Sequence, residues 1–109
     1  MSLDKDKLEL LNIFKALSNE TRLNILEWLR EPEKHFQKGA FLSEIKNDKY
    51  GVCVGDIQEK AQLSQSTISN YLKMLQNAGL LEFERLGQWT YYRRNEKNIQ
   101  LLSDIIKDF

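Results

Sequence analysis

The stretch DIQEKAQLSQSTISNYLKMLQNAGLL, residues Asp56 to Leu81, decides how this chain reads. Ser64 has the hydroxyl that a helix start needs to satisfy an amide of its first turn, and Ile68, Tyr71, Leu72 and Leu75 then fall on one helical face. Gly79 suits the left-handed position that follows a helix end. Ahead of Ser64, Ile57 to Ala61 reads as a short helix capped by Asp56 and joined through the tight connection Gln62-Leu63-Ser64. The segment is therefore two helices around a tight turn, the second amphipathic.

Working outward, Leu80 to Leu86 and Trp89 to Arg93 are rich in apolar and aromatic residues and are separated by Gly87-Gln88, a Gly-X signal for a two-residue hairpin. That spacing sets Phe83 opposite Tyr92 and Glu82 opposite Arg93, giving one aromatic pair and one pair of opposite charges. Ile99, Leu102, Ile106 and Phe109, flanked by Leu101 and Ile105, form a last helix whose apolar surface is wider than one narrow stripe. One part serves the core and leaves another for a partner. Upstream, Leu8, Leu11, Phe14 and Leu17 mark a first helix over Asp4 to Leu17. A second, introduced by Ser18-Asn19-Glu20, carries Leu23, Ile25, Leu26, Trp28 and Leu29 until Pro32 stops it. Between Glu31 and Tyr50 the pattern is mixed, with one or two amphipathic turns expected around Phe41, Leu42 and Ile45. Val52-Cys53-Val54 has the composition of a brief strand.

The expected fold is mainly α with a small β-hairpin, in the order α-α-α-α-β-β-α, which is the winged helix-turn-helix arrangement. A length of 109 residues fits a single domain over residues 1–109. No apolar run approaches the roughly 18 residues of a membrane span, so no membrane partner is expected. The lone Cys53 excludes an intramolecular disulfide, and with no signal-peptide pattern the expected location is cytoplasmic. Formal net charge is zero, but the charge is unevenly spread: residues 1–59 carry nine basic and eleven acidic side chains, residues 60–95 five basic and two acidic. A surface for nucleic acid belongs in the second segment.

A helix that reads DNA docks one face on the core and offers short polar side chains on the other. Gln65, Ser66, Thr67, Ser69, Asn70 and Lys73 lie off the apolar stripe, and together with Ser64 at the helix start they suit the major groove. Amides match adenine edges, hydroxyls match bases or phosphates, and the ammonium matches phosphate. Arg85, Gln88 and Thr90 around the hairpin tip are the expected wing contacts, whereas Arg93 and Arg94 have Glu82 and Glu96 as nearby partners.

On these residues the chain resembles the ArsR family of small bacterial repressors. The matching segments are Lys15 to Leu26, Val52 to Ile57, Leu63 to Leu75, Ala78 to Leu81 and Gly87 to Tyr92, in the family's order. The resemblance implies a homodimer through the first and last helices, with Leu8, Leu11, Leu102, Ile105, Ile106 and Phe109 at the interface. It also implies an inverted-repeat operator in double-stranded DNA and release of that DNA when a signal, such as a small-molecule inducer, is sensed.

Many members of that family sense metals, and here the ligand pattern departs from theirs. Cys53 and Asp56 match two positions of the family's Cys-Val-Cys-Asp box, but Gly55 replaces the second thiolate. On the last helix Glu96 keeps a carboxylate, while Asn98 and Phe109 stand where imidazoles are expected. A tight zinc or thiophilic site needs three or four good ligands, so neither metal nor cofactor is expected. His35 reads as a solvent-facing loop residue. Phe36, Phe41 and Tyr50 either patch the core or line an inducer pocket. Cys53 reads as a buried thiol, the alternative being a redox-sensing repressor. No phosphate loop, Cys/His pair or serine elbow points to an enzyme. Outside DNA binding, zero net charge also permits a winged-helix module that contacts protein.

Overall fold

Ile25, Ile57, Ile68, Leu72, Leu75, Leu80 and Val52 are the largest side chains wholly withdrawn from solvent, and they come from three helices, one strand and a turn that all meet in one core. The computed structural model describes residues 3–36, 42–45 and 49–109. Its elements run α1 Leu3–Leu17, α2 Glu20–Arg30, α3 Pro32–His35, β1 Leu42–Ile45, β2 Lys49–Cys53, α4 Val54–Ala61, α5 Gln65–Asn77, β3 Leu81–Leu86, β4 Trp89–Arg94 and α6 Glu96–Lys107.

The α1–α2 junction satisfies the carbonyls that a helix end leaves unpaired. Ser18 Oγ donates to the Phe14 carbonyl at 2.9 Å, Ser18 N to Lys15 at 3.2 Å and Asn19 N to Leu17 at 2.9 Å. Arg22 completes the set: its Nε donates to the Ala16 carbonyl at 2.6 Å and its terminal nitrogen to Lys15 at 3.2 Å. Asn19 caps α2, its side-chain oxygen accepting from Arg22 N at 3.0 Å. The Arg22 guanidinium is buried and lies 4.9 Å from the centre of the Tyr71 ring, so one cation joins the end of α1, the start of α2 and the flank of α5.

The sheet is antiparallel with strand order β1-β2-β4-β3. The β3–β4 register pairs Phe83 with Tyr92 and Glu82 with Arg93, as the sequence spacing requires, and Gly87 takes a φ of 62° at the turn. Two differences from the sequence reading lie before the helix-turn-helix. Leu42 and Ile45 form a strand rather than amphipathic turns, and with β2 it makes a second hairpin on the sheet. Pro32 ends α2 but also opens α3, since its fixed φ suits the first helical position. In addition, α4 begins at Val54, so Asp56 sits in its first turn instead of capping it; a carboxylate there still complements the helix dipole.

Arg22→Ala is expected to lower stability to urea by about 3 kcal/mol, because two charge-assisted hydrogen bonds and the ring contact are lost and buried carbonyls are left unpaired. Arg22→Lys should recover only a minor part, lacking the planar fork. Equal stability of the alanine variant and the native protein in denaturant titration would refute this role.

Candidate nucleic-acid interface

The turn between α4 and α5 is tight because Gln62 adopts the left-handed conformation, with φ 57° and ψ 41°, and donates its N–H to the Gln58 carbonyl at 2.9 Å. Ser64 then opens α5. Its Oγ accepts from Thr67 N at 3.2 Å and donates to Thr67 Oγ1 at 2.8 Å, with Ser66 Oγ 3.2 Å away. At the other end Leu80 N donates to Leu75 at 3.0 Å and Gly79 N to Gln76 at 2.9 Å, a Schellman closure that requires the φ of 81° at Gly79.

Between these ends α5 divides into two faces. Ile68, Leu72 and Leu75 are fully buried, whereas Gln65, Ser66, Ser69, Asn70 and Lys73 are exposed and Thr67 is half-buried. The hydroxyl and amide side chains singled out from sequence are thus brought together on one outward surface. Ser64 differs from the rest, since its oxygen is already engaged as the helix cap. Met74 and Asn77 share the outward face and were not anticipated; their spacing of seven and eleven residues from Ser66 and Thr67 is the signal that places them there.

In the hairpin Arg85 is exposed directly across from the half-buried Thr90, and Gln88 is exposed at the tip, with the large apolar side chains of Leu86 and Trp89 beside it. Phe83 stacks at a tilt on Tyr92, ring centres 5.7 Å apart. Burial pushes the Tyr92 phenol above its ordinary pKa, so it stays a donor, its contact with Gln76 Oε1 being a long 3.5 Å. Arg93 forms an ion pair with Glu82, and Arg94 a two-pronged pair with Glu96 at 2.8 and 2.9 Å. Those guanidinium groups hold the base of the wing, which leaves Lys73 and Arg85 as the exposed cations of the α5 and wing surface.

Cys53 is buried beside Tyr91 immediately before α4, without the access a redox-active thiolate needs. Asn98, at an expected imidazole position, donates its amide to the Gly79 carbonyl at 2.9 Å. Among the described residues no group of three or more His, Cys, Asp or Glu is placed to hold a metal ion. Phe36 belongs to the core, and His35 is half-buried at the end of α3. Phe41 and the side chain of Tyr50 lie outside the described residues. Of the residues expected at a dimer contact, Leu11, Ile105, Ile106 and Phe109 are exposed, whereas Leu102 is buried within its own chain. That position is a core residue, because the same stripe that docks α6 contains it. The side chain of Leu8 is outside the described set, and Leu101 is an exposed apolar neighbour not assigned beforehand.

The family profile of bacterial regulatory proteins of the arsR type matches residues 51–82, the helix-turn-helix with the strand on either side. An HTH-type transcriptional regulator of Bacillus subtilis is 48% identical over 100 residues, covering 92% of this chain and 97% of that protein. The arsenical resistance operon repressor of the same organism is 34% identical over 107 residues, covering 94% and 86%. The chain belongs to the ArsR family. Its fold matches the homodimeric winged helix-turn-helix DNA-binding domain of a Mycobacterium bovis protein, with TM-score 0.65 and 26% identity over 99% of this chain and 88% of that one. This ArsR-family chain is a DNA-binding transcriptional regulator, and no helix among the described residues is long and apolar enough to cross a membrane.

Ser64→Ala is expected to cost about 1 kcal/mol of stability through loss of the α5 cap, and Ser64→Asp to restore most of it. Thermal unfolding of both variants checks this; equal loss in the two would contradict a capping role.

Proposed function

We propose that the chain is a cytoplasmic repressor acting as a single DNA-binding domain, that two copies join through α1 and α6, and that the pair binds an inverted-repeat operator. Gln65, Ser66, Thr67, Ser69 and Asn70 read base edges and nearby phosphates in the major groove, Ser64 fixes the helix that presents them, and Lys73 contacts phosphate. Arg85, Gln88 and Thr90 contact the backbone or minor groove from the wing. The observation that carries this reading is the two-faced α5, its polar side chains exposed opposite three fully buried aliphatics. The exposed apolar surface at Leu11, Ile105, Ile106 and Phe109 supports the pairing, as does the homodimeric state of the Mycobacterium bovis relative. A small molecule that binds the dimer and lowers its DNA affinity is the proposed signal.

Charge sets the strength of this binding. With Lys73 and Arg85 as the exposed cations on each subunit, a dimer neutralises about four phosphates, and the logarithm of the affinity should fall with the logarithm of salt concentration at a slope of about −4. A winged-helix module that contacts only protein would show no salt-dependent DNA binding. The triple variant Ser66→Ala, Thr67→Ala, Asn70→Ala should lose the preference for operator over random DNA while keeping this slope, because hydroxyls and amides discriminate bases without neutralising phosphates. Fluorescence anisotropy with operator and random duplexes measures both quantities, and an unchanged preference would place the reading surface elsewhere.

Ile106→Glu should shift the protein towards monomer in sedimentation equilibrium and weaken operator affinity in parallel, since two half-sites need linked recognition helices. An unchanged mass would remove α6 from the interface.

A further inference from the structure

A cleft of about 790 Å³ opens between α1, the C-terminal end of α5 and α6. That volume falls within the range of roughly 300–1,000 Å³ that small-molecule sites occupy. Leu10 and Ile13 of α1, Leu80, and Leu101 of α6 supply apolar wall, while Asn12, Asn77 and Asn98 each bring an amide. The charged groups on the lining, Lys7 and Glu9, are of opposite sign, so the cleft carries no net charge to attract an ion. Such a lining matches a molecule with an apolar body and a hydrogen-bonding head.

A second copy of the chain does not account for this space. On α1, Leu11, which faces outward, is rotated by roughly 160° from Ile13 around the helix axis, so a partner docked on Leu11 approaches from the side away from the cleft. All walls come from one chain.

We propose that this cleft is a binding site for an uncharged small amphiphile. The proposal deepens the regulator reading by naming what is sensed and where. Asn98 is at once a wall of the cleft and the donor to the Gly79 carbonyl, and Asn95 N bonds the Leu80 carbonyl at 2.9 Å, so an occupant touches the bonds that hold the end of the recognition helix to α6.

The test uses the native full-length chain without DNA, so its outcome is separate from any failure of operator binding. Nile red, an uncharged dye that brightens in apolar surroundings, is titrated into native protein and into Leu101→Trp and Asn12→Trp, which fill the cleft from opposite walls at exposed positions. Circular dichroism and sedimentation are run alongside. Saturable binding of a single dye per subunit, weakened about ten-fold in both folded variants with oligomeric mass unchanged, is the expected result. The site is overturned by absence of saturable binding to the native protein or by equal binding in both variants. It is also overturned if the tryptophans alter the oligomeric mass, because a second copy then occupies the cleft.

Discussion

The Arg22 guanidinium is the contact on which the arrangement of helices depends. A helix that stops at Leu17 leaves carbonyls facing the next helix, where water has little access, and these groups have to be paired. Arg22 pairs two of them and lies on Tyr71, so the angle between α1 and α2 and the seat of α5 are set by one side chain. The geometry explains why the Leu17-Ser18-Asn19-Glu20-Thr21-Arg22 segment has the residue types it has: a hydroxyl that bonds back, an amide that caps forward and a fork that reaches the carbonyls left over.

Downstream, α5 is fixed at both ends by local bonds and along its length by burial. The Ser64 cap and the Gly79 closure set where it starts and stops, and Ile68, Leu72 and Leu75 set which way it is turned. Its outward face then follows from helical geometry, with no further contact needed to point the polar side chains away from the core. A Cβ at Gly79 would come within 3.0 Å of the Asn98 amide, so the close approach of α6 to the end of α5 adds to the demand for glycine there. The dimer helix and the recognition helix are thereby in direct contact, which is the physical basis for one influencing the other.

The parts legible in the sequence were those fixed by local chemistry. Ser64, Gly79 and Gly87-Gln88 announce a cap, a closure and a turn, and the register of β3 with β4 follows from the turn length alone. The second hairpin was not legible, because Leu42-Ser43-Glu44-Ile45 has too few residues to separate a period of two from a period of 3.6. The start of α4 was misplaced for a related reason: Val52, Cys53 and Val54 share a composition suited to strands, yet the chain passes from strand to helix between the last two. Leu102 shows the limit for surfaces. A helix with apolar residues on more than one face does not declare which of them meets its own core, and only packing against α1 and α5 assigns it there.

The central claim is that two outward-facing copies of α5 are held at the spacing of successive major grooves. Hydroxyl-radical footprinting on a genomic fragment selected by the protein tests it most directly. The account predicts two protected segments related by a two-fold axis, their centres about one helical turn apart. A single protected segment, or protection that does not depend on sequence, would contradict it.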